Sequence, residues 1–150
     1  MRYKITIEYD GTSLLGWQEQ LDGPSVQDYL QRALSCFTPL EETNDAPLSD
    51  EEYEDAGTGR RLQKTDKIIV SGAGRTDAGV HATAQVAHFD LKEDLVDWKL
   101  REAINARLRE MEAPVSVIAV EKVGNDFHAR FSARGRGYLY RILNRRAPAV

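Results

Sequence analysis

With 150 residues, 41% hydrophobic and 29% charged, the chain can bury the core of one ordinary domain and is too apolar for overall disorder. A lone cysteine, Cys36, excludes an internal disulfide framework and suits a reducing compartment. No run of about 18 apolar residues could span a bilayer, and the alternating start MRYKITIEYD lacks the apolar stretch of a signal peptide, so a cytoplasmic protein without membrane contact is expected.

Residues 2–10 place Tyr3, Ile5, Ile7 and Tyr9 on one face and predict a half-buried strand. A loop follows, marked by the turn signals Asp10-Gly11 and Asp22-Gly23-Pro24. Glu8 and Asp10 could pose as an acid/base pair, but Gly11 directly after them favours a turn. Ser25-x-x-Asp28 is a capping-box pattern that opens a helix with Val26, Tyr29, Leu30, Ala33, Leu34 and Phe37 on one side.

Residues 41–59, EETNDAPLSDEEYEDAGTG, hold eight acids and no base, and the rest of the chain carries 20 basic against 16 acidic side chains. The net charge of −4 therefore hides a mildly basic body. The tract reads as a solvated, mobile insertion spanning 41–66. Residues 67–71 are a short apolar strand, 83–90 another, 94–110 a helix with Leu100, Ala103, Ile104 and Leu108 inward, and 114–123 a valine-rich strand. A last strand is predicted at 136–143, where Tyr138, Tyr140 and Ile142 alternate. The β-α-β-β-α-β order predicts an α+β, ferredoxin-like (split βαβ) antiparallel sheet, with two helices on one face and the other face open, as in RNA-recognition domains.

The three histidines and Cys36 show no metal-ligand spacing, so no metal site is expected. Gly72-x-Gly74 begins a dinucleotide turn, but an acid, Asp77, stands where the third glycine belongs, and there is no phosphate loop. Arg75 and Asp77 remain, set among glycines in SGAGRTDAGVHA (71–82). A carboxylate beside a guanidinium is kept ionised and can serve as a nucleophile. The glycines would let the backbone pass close to a planar ligand or adopt positive φ. A surface turn with a rim ion pair is the competing reading, and the residues alone leave the two open. Arg130, Arg134, Arg136, Arg141, Arg145 and Arg146 lie among Phe127, Phe131, Tyr138 and Tyr140, a mixture suited to phosphate contact and base stacking. A solvated basic edge strand would look the same.

GRTDAGVHA (74–82) resembles the signature loop of the tRNA pseudouridine synthase A family. YDGTSLLGWQ, SVQDYLQRAL, QVAHFD, the asparagine of INARL, DFHARFSA and YLYRIL resemble further segments of that family in order. The resemblance implies that Asp77 is the catalytic aspartate and that Arg75 contacts the substrate strand and assists extrusion of the target uridine. It also implies that Tyr138 stacks under the flipped base, although spacing alone makes Tyr138 a sheet residue. Arg130, Arg134, Arg136 and Arg141 would then contact RNA. Further implications are action on the tRNA anticodon stem-loop, no cofactor, and a homodimeric full-length protein. By that resemblance residues 1–135 form an N-terminal subdomain, and 136–150 lead into a C-terminal half absent from this chain. A non-catalytic RNA-binding module is the alternative. Against it, RGYLYRIL imitates an RNP1 box but follows the fourth strand, not the second, and places Leu139 where a small residue is required.

Overall fold

The computed structural model of the chain describes residues 1–37, 52–54, 61–63 and 67–147. Its elements are β1 (Arg2–Tyr9), α1 (Val26–Leu34), β2 (Glu52–Glu54), β3 (Arg61–Gln63), β4 (Ser71–Gly72), β5 (Ala82–Asp90), α2 (Asp97–Glu110) and β6 (Val115–Val123). A four-stranded sheet runs in the order β4-β5-β1-β6, every neighbouring pair antiparallel, while β2 and β3 pair separately. The fold is thus α+β, as expected. The 41–66 segment contains the β2–β3 pair, and the rest of that expected insertion lies outside the described residues.

The first ten residues form a central strand because their period of two supplies one continuous apolar face. Tyr3, Ile5, Ile7 and Tyr9 are buried in one cluster with Val26, Leu30, Ala33 and Leu34 of α1 and Leu100, Ile104 and Leu108 of α2. Both helices therefore pack on the same side of the sheet. Ser25 caps α1, its Oγ accepting from the Asp28 amide at 3.1 Å. The Asp28 carboxylate turns to Arg32, 3.6 Å away, so only the hydroxyl half of the capping box forms.

Three boundaries depart from the sequence expectation for identifiable reasons. The 67–71 strand shrinks to Ser71–Gly72 because side chains of α1 take the Val70 backbone out of the ladder. Gln27 Nε2 donates to the Val70 carbonyl at 2.9 Å, and the Val70 amide donates to Gln31 Oε1 at 3.4 Å. Helix α2 begins at Asp97 rather than 94 because the preceding turn is tied down elsewhere. The Leu95 amide donates to the Tyr3 hydroxyl at 2.7 Å, and Lys122 pairs with Asp94 at 2.5 Å. The strand expected at 136–143 is not formed: no described strand lies beside it, and Tyr138, Leu139, Tyr140 and Ile142 all stand exposed.

The sheet face away from the helices is partly covered rather than open. Past β6 the chain turns back across it, because Arg2 Nη1 donates to the Asn125 and Phe127 carbonyls at 2.7 and 2.9 Å while its guanidinium grips Asp90. Further on, the Ala129 amide donates to Nδ1 of His88, which pairs across the sheet with Lys4. This crossing buries His88 and delivers residues 130–138 to the sheet edge formed by β4.

Candidate active site

The loop carrying Asp77 starts where β4 leaves the sheet, after the Ala73 amide donates to the Val86 carbonyl at 2.7 Å. From there the first loop of the chain braces it. The Trp17 amide donates to the Thr76 carbonyl at 2.9 Å, and the Gly79 amide to the Leu14 carbonyl at 3.3 Å. Hydroxyls of Tyr9 and Thr76 share a hydrogen bond of 2.9 Å, and Gln85 Nε2 donates to the Gly74 carbonyl at 2.6 Å. The Val80 amide closes a turn onto the Asp77 carbonyl at 3.2 Å. Exposed though it is, the loop is rigidly held.

Two glycines of this stretch have concrete jobs. Gly72 lies flat against the buried indole of Trp17, and a side-chain carbon there would stand 2.5 Å from Cζ2. Gly79 adopts φ +80°, inside the turn after Asp77. At Gly74, by contrast, a side-chain carbon would find only ordinary contacts, 3.7 Å from Arg136 Nε and 3.8 Å from the Tyr138 hydroxyl. The glycines thus fit the loop to its own protein, beginning with an indole.

Asp77 and Arg75 are both exposed, and neither side chain forms a hydrogen bond or ion pair with the described residues, nor with the other. The rim ion pair is therefore not what holds the turn. Both groups are left available to something outside the chain. Tyr138 is 70% exposed, and its hydroxyl lies by the Gly74 backbone and close enough to Tyr9 to act on it electrostatically. Burial raises the Tyr9 hydroxyl pKa above its ordinary value; the Thr76 hydrogen bond opposes this and Tyr138 adds to it.

Among the predicted arginines the structure distinguishes roles. Arg136 is an anchor: Nε and Nη2 donate to the Ala73 carbonyl at 3.2 and 2.8 Å, and Nη2 also to the Arg130 carbonyl at 3.0 Å. It thereby brings Tyr138 to the loop. Arg130 stands over the exposed ring of Phe131, its guanidinium carbon 5.9 Å from the ring centre. Arg134 and Arg141 are exposed and make no contact with the described residues through hydrogen bonds or ion pairs.

Sequence reasoning did not single out Thr76, Gln85 or His81. His81 Nδ1 lies 3.2 Å from Asp10 Oδ1, across the mouth of the first loop. The same carboxylate accepts from the Thr12 amide at 2.9 Å, the turn that Asp10-Gly11 suggested. The Thr12 hydroxyl first, and then this amide, hold the Asp10 carboxyl below its ordinary pKa, with a smaller contribution from His81. Among the described residues no three of His, Cys, Asp or Glu group as metal ligands.

The α+β domain thus presents a free carboxylate and guanidinium from a braced loop, with a tyrosine and arginines alongside. Its sequence matches the family described as tRNA pseudouridine synthase over residues 5–132, and the chain belongs to that family. It is 48% identical over 147 residues to tRNA pseudouridine synthase A of Maricaulis maris. Identity to the proteins of that name from Brucella ovis and Brucella abortus is 45% over 147 residues. In each case the alignment takes in 98% of this chain and 48% of the relative, so the chain spans about half the length of the curated relatives it matches.

Proposed function

We propose that this chain is the N-terminal part of an enzyme that isomerises uridine to pseudouridine in the anticodon stem-loop of tRNA, with Asp77 as its catalytic carboxylate. The reaction breaks the C1′–N1 bond, forms C1′–C5, moves a proton off C5 and places one on N1. It balances with no oxidant, reductant or energy source. What it does demand is a carboxylate that can attack or take a proton, held where an extruded base can reach it. The observation that carries the reading is the Asp77 carboxylate, free of internal partners on a loop braced by β1 and by the segment after it, in a chain that matches the family from 5 to 132.

In this reading Arg75 meets the strand that gives up the uridine, and Tyr138 lies beneath the flipped base. Arg130, Arg134 and Arg141 meet phosphates, whereas Arg136 serves the site by holding Tyr138 against it. The sheet order and the placement of both helices on one side support a ferredoxin-like arrangement of residues 1–135. Residues 136–150 then lead into a second half that closes the cleft, and the complete enzyme pairs as a homodimer.

Pseudouridine mapping on tRNA treated with the full-length protein tests this. Asp77→Asn keeps the shape of the side chain and is expected to lower the rate by about 10³-fold or more. Equal product from both proteins would remove Asp77 from the chemistry. Tight tRNA binding without product from the wild type would favour an RNA-binding module instead.

A further inference from the structure

The Asp77 carboxylate has no internal partner, so its position depends wholly on the peptide that carries it. That peptide is held from the far end of β1. The Tyr9 side chain, 4% exposed, reaches the Thr76 hydroxyl at 2.9 Å, and the residue after Thr76 is Asp77. On the other side of the same residue the Thr76 carbonyl accepts from the Trp17 amide at 2.9 Å. Gly16, at φ +104°, lies so close beneath that a side-chain carbon would stand 2.5 Å from the Thr76 oxygen and 3.1 Å from the Asp77 carbonyl carbon. Thr76 is thus gripped at its side chain and at its main chain, by groups 67 and 59 residues away in the chain. No ladder bond of the sheet extends this far, since β4 ends at Gly72.

We propose that Tyr9 and Thr76 are positioning residues, a half-buried hydroxyl pair that sets where the Asp77 carboxylate points. The proposal rests on the reading of Asp77 as the catalytic group. Each hydroxyl can donate to one partner and accept from another. Burial of Tyr9 and the neighbouring Tyr138 hydroxyl both oppose its ionisation, so the phenol stays a neutral hydroxyl. A neutral pair holds the loop without adding charge beside a carboxylate. Loss of either hydroxyl leaves the other, half-buried, without its partner. Thr76 would then be held by the Trp17 bond alone, letting the carboxylate move by a fraction of an ångström while Arg75 and the arginines that meet RNA stay in place. A misplacement on the order of 1 Å can cost about 10²-fold in rate.

The test uses the full-length protein, with single-turnover pseudouridine formation, tRNA affinity and thermal melting measured on Tyr9→Phe, Thr76→Val, Thr76→Ser, their Tyr9→Phe/Thr76→Val double, and Asp77→Asn. Expected for Tyr9→Phe and Thr76→Val are rate losses of about 10- to 100-fold with tRNA affinity within about twofold. Thr76→Ser keeps the hydroxyl and should stay within about threefold of the wild type, and the double variant should be no slower than the worse single one. Wild-type rates from Tyr9→Phe and Thr76→Val, with Asp77→Asn inactive, would overturn the proposal and leave the catalytic assignment standing. Losses that multiply in the double variant, or that follow a fall in melting temperature or in tRNA affinity, would also overturn it. An active Asp77→Asn enzyme would overturn the catalytic reading itself, whatever the hydroxyl variants do.

Discussion

Gly16 governs the Asp77 loop from outside it. Its φ of +104° is strained for any other residue, and an added side-chain carbon would press on the backbone of Thr76 and Asp77, where nothing flexible can yield. Gly16→Ala is expected to cost about 2–4 kcal/mol in a denaturant titration, well above the effect of an alanine at Gly74, where the added carbon meets only ordinary contacts. His88 offers a pH-dependent check. Burial, then the charges of His128 and Arg2, push its imidazole below the ordinary 6.5. The unfolded chain therefore takes up the proton first, and the stability contributed by neutral His88 is complete above about 6.5 and lost as pH falls through the folded value. The urea midpoint should drop between pH 7.5 and 5.5, and His88→Gln, which keeps an acceptor for the Ala129 amide, should flatten that drop. At this scale the sequence singled out Arg75, Asp77 and Tyr138 as candidates, because a family motif is local. Nothing in it pointed to the Tyr9–Thr76 hydroxyl pair, since neither residue type is unusual and only folding joins them.

Among the elements, β6 and α2 show how one side chain can repair a strand. Pairing of β1 with β6 shifts register between Thr6 and Ile7, leaving Ile118 unopposed in a bulge. Asn105 of α2 serves the disturbed backbone on both sides, donating to the Val117 carbonyl at 2.9 Å and accepting from the Val117 amide at 2.8 Å. Asn105→Leu should lower stability by about 2–3 kcal/mol, because both backbone groups lose their partner; a loss under half a kilocalorie in the same titration would mean that water replaces the amide freely. The sequence showed that the INARL asparagine belongs to a family pattern and gave no hint of its use. Helical and strand periods were readable because they are repeated along the chain. The short strand β4 was not, because two glutamines of α1 compete for the Val70 backbone.

Across the whole molecule, the segment after β6 is the feature that ties fold to site. Arg2 and His88 hold its crossing, Arg136 fastens it to Ala73, and Tyr138 arrives beside the loop in consequence. Beyond that anchor Leu139, Tyr140 and Ile142 are 78–90% exposed, in a stretch with the alternation of a strand and no described strand beside it. The 150-residue chain by itself is therefore expected to associate as its concentration rises. Light scattering should show a growing mass that Leu139→Lys with Ile142→Lys suppresses, and a mass independent of concentration would show these side chains to be harmless in water.

By itself the sequence determined the α+β class, the inward faces of β1, α1 and α2, and the identity of the loop that carries Arg75 and Asp77. All of these are written in short-range pattern, where period, caps and motif spacing act within one segment. Tertiary structure alone decided that no ion pair joins Arg75 to Asp77, that Arg136 anchors rather than projects, and that the loop is gripped by Tyr9 and Trp17. These depend on hydrogen bonds between segments dozens of residues apart, and only the packed sheet brings their donors within reach of their acceptors.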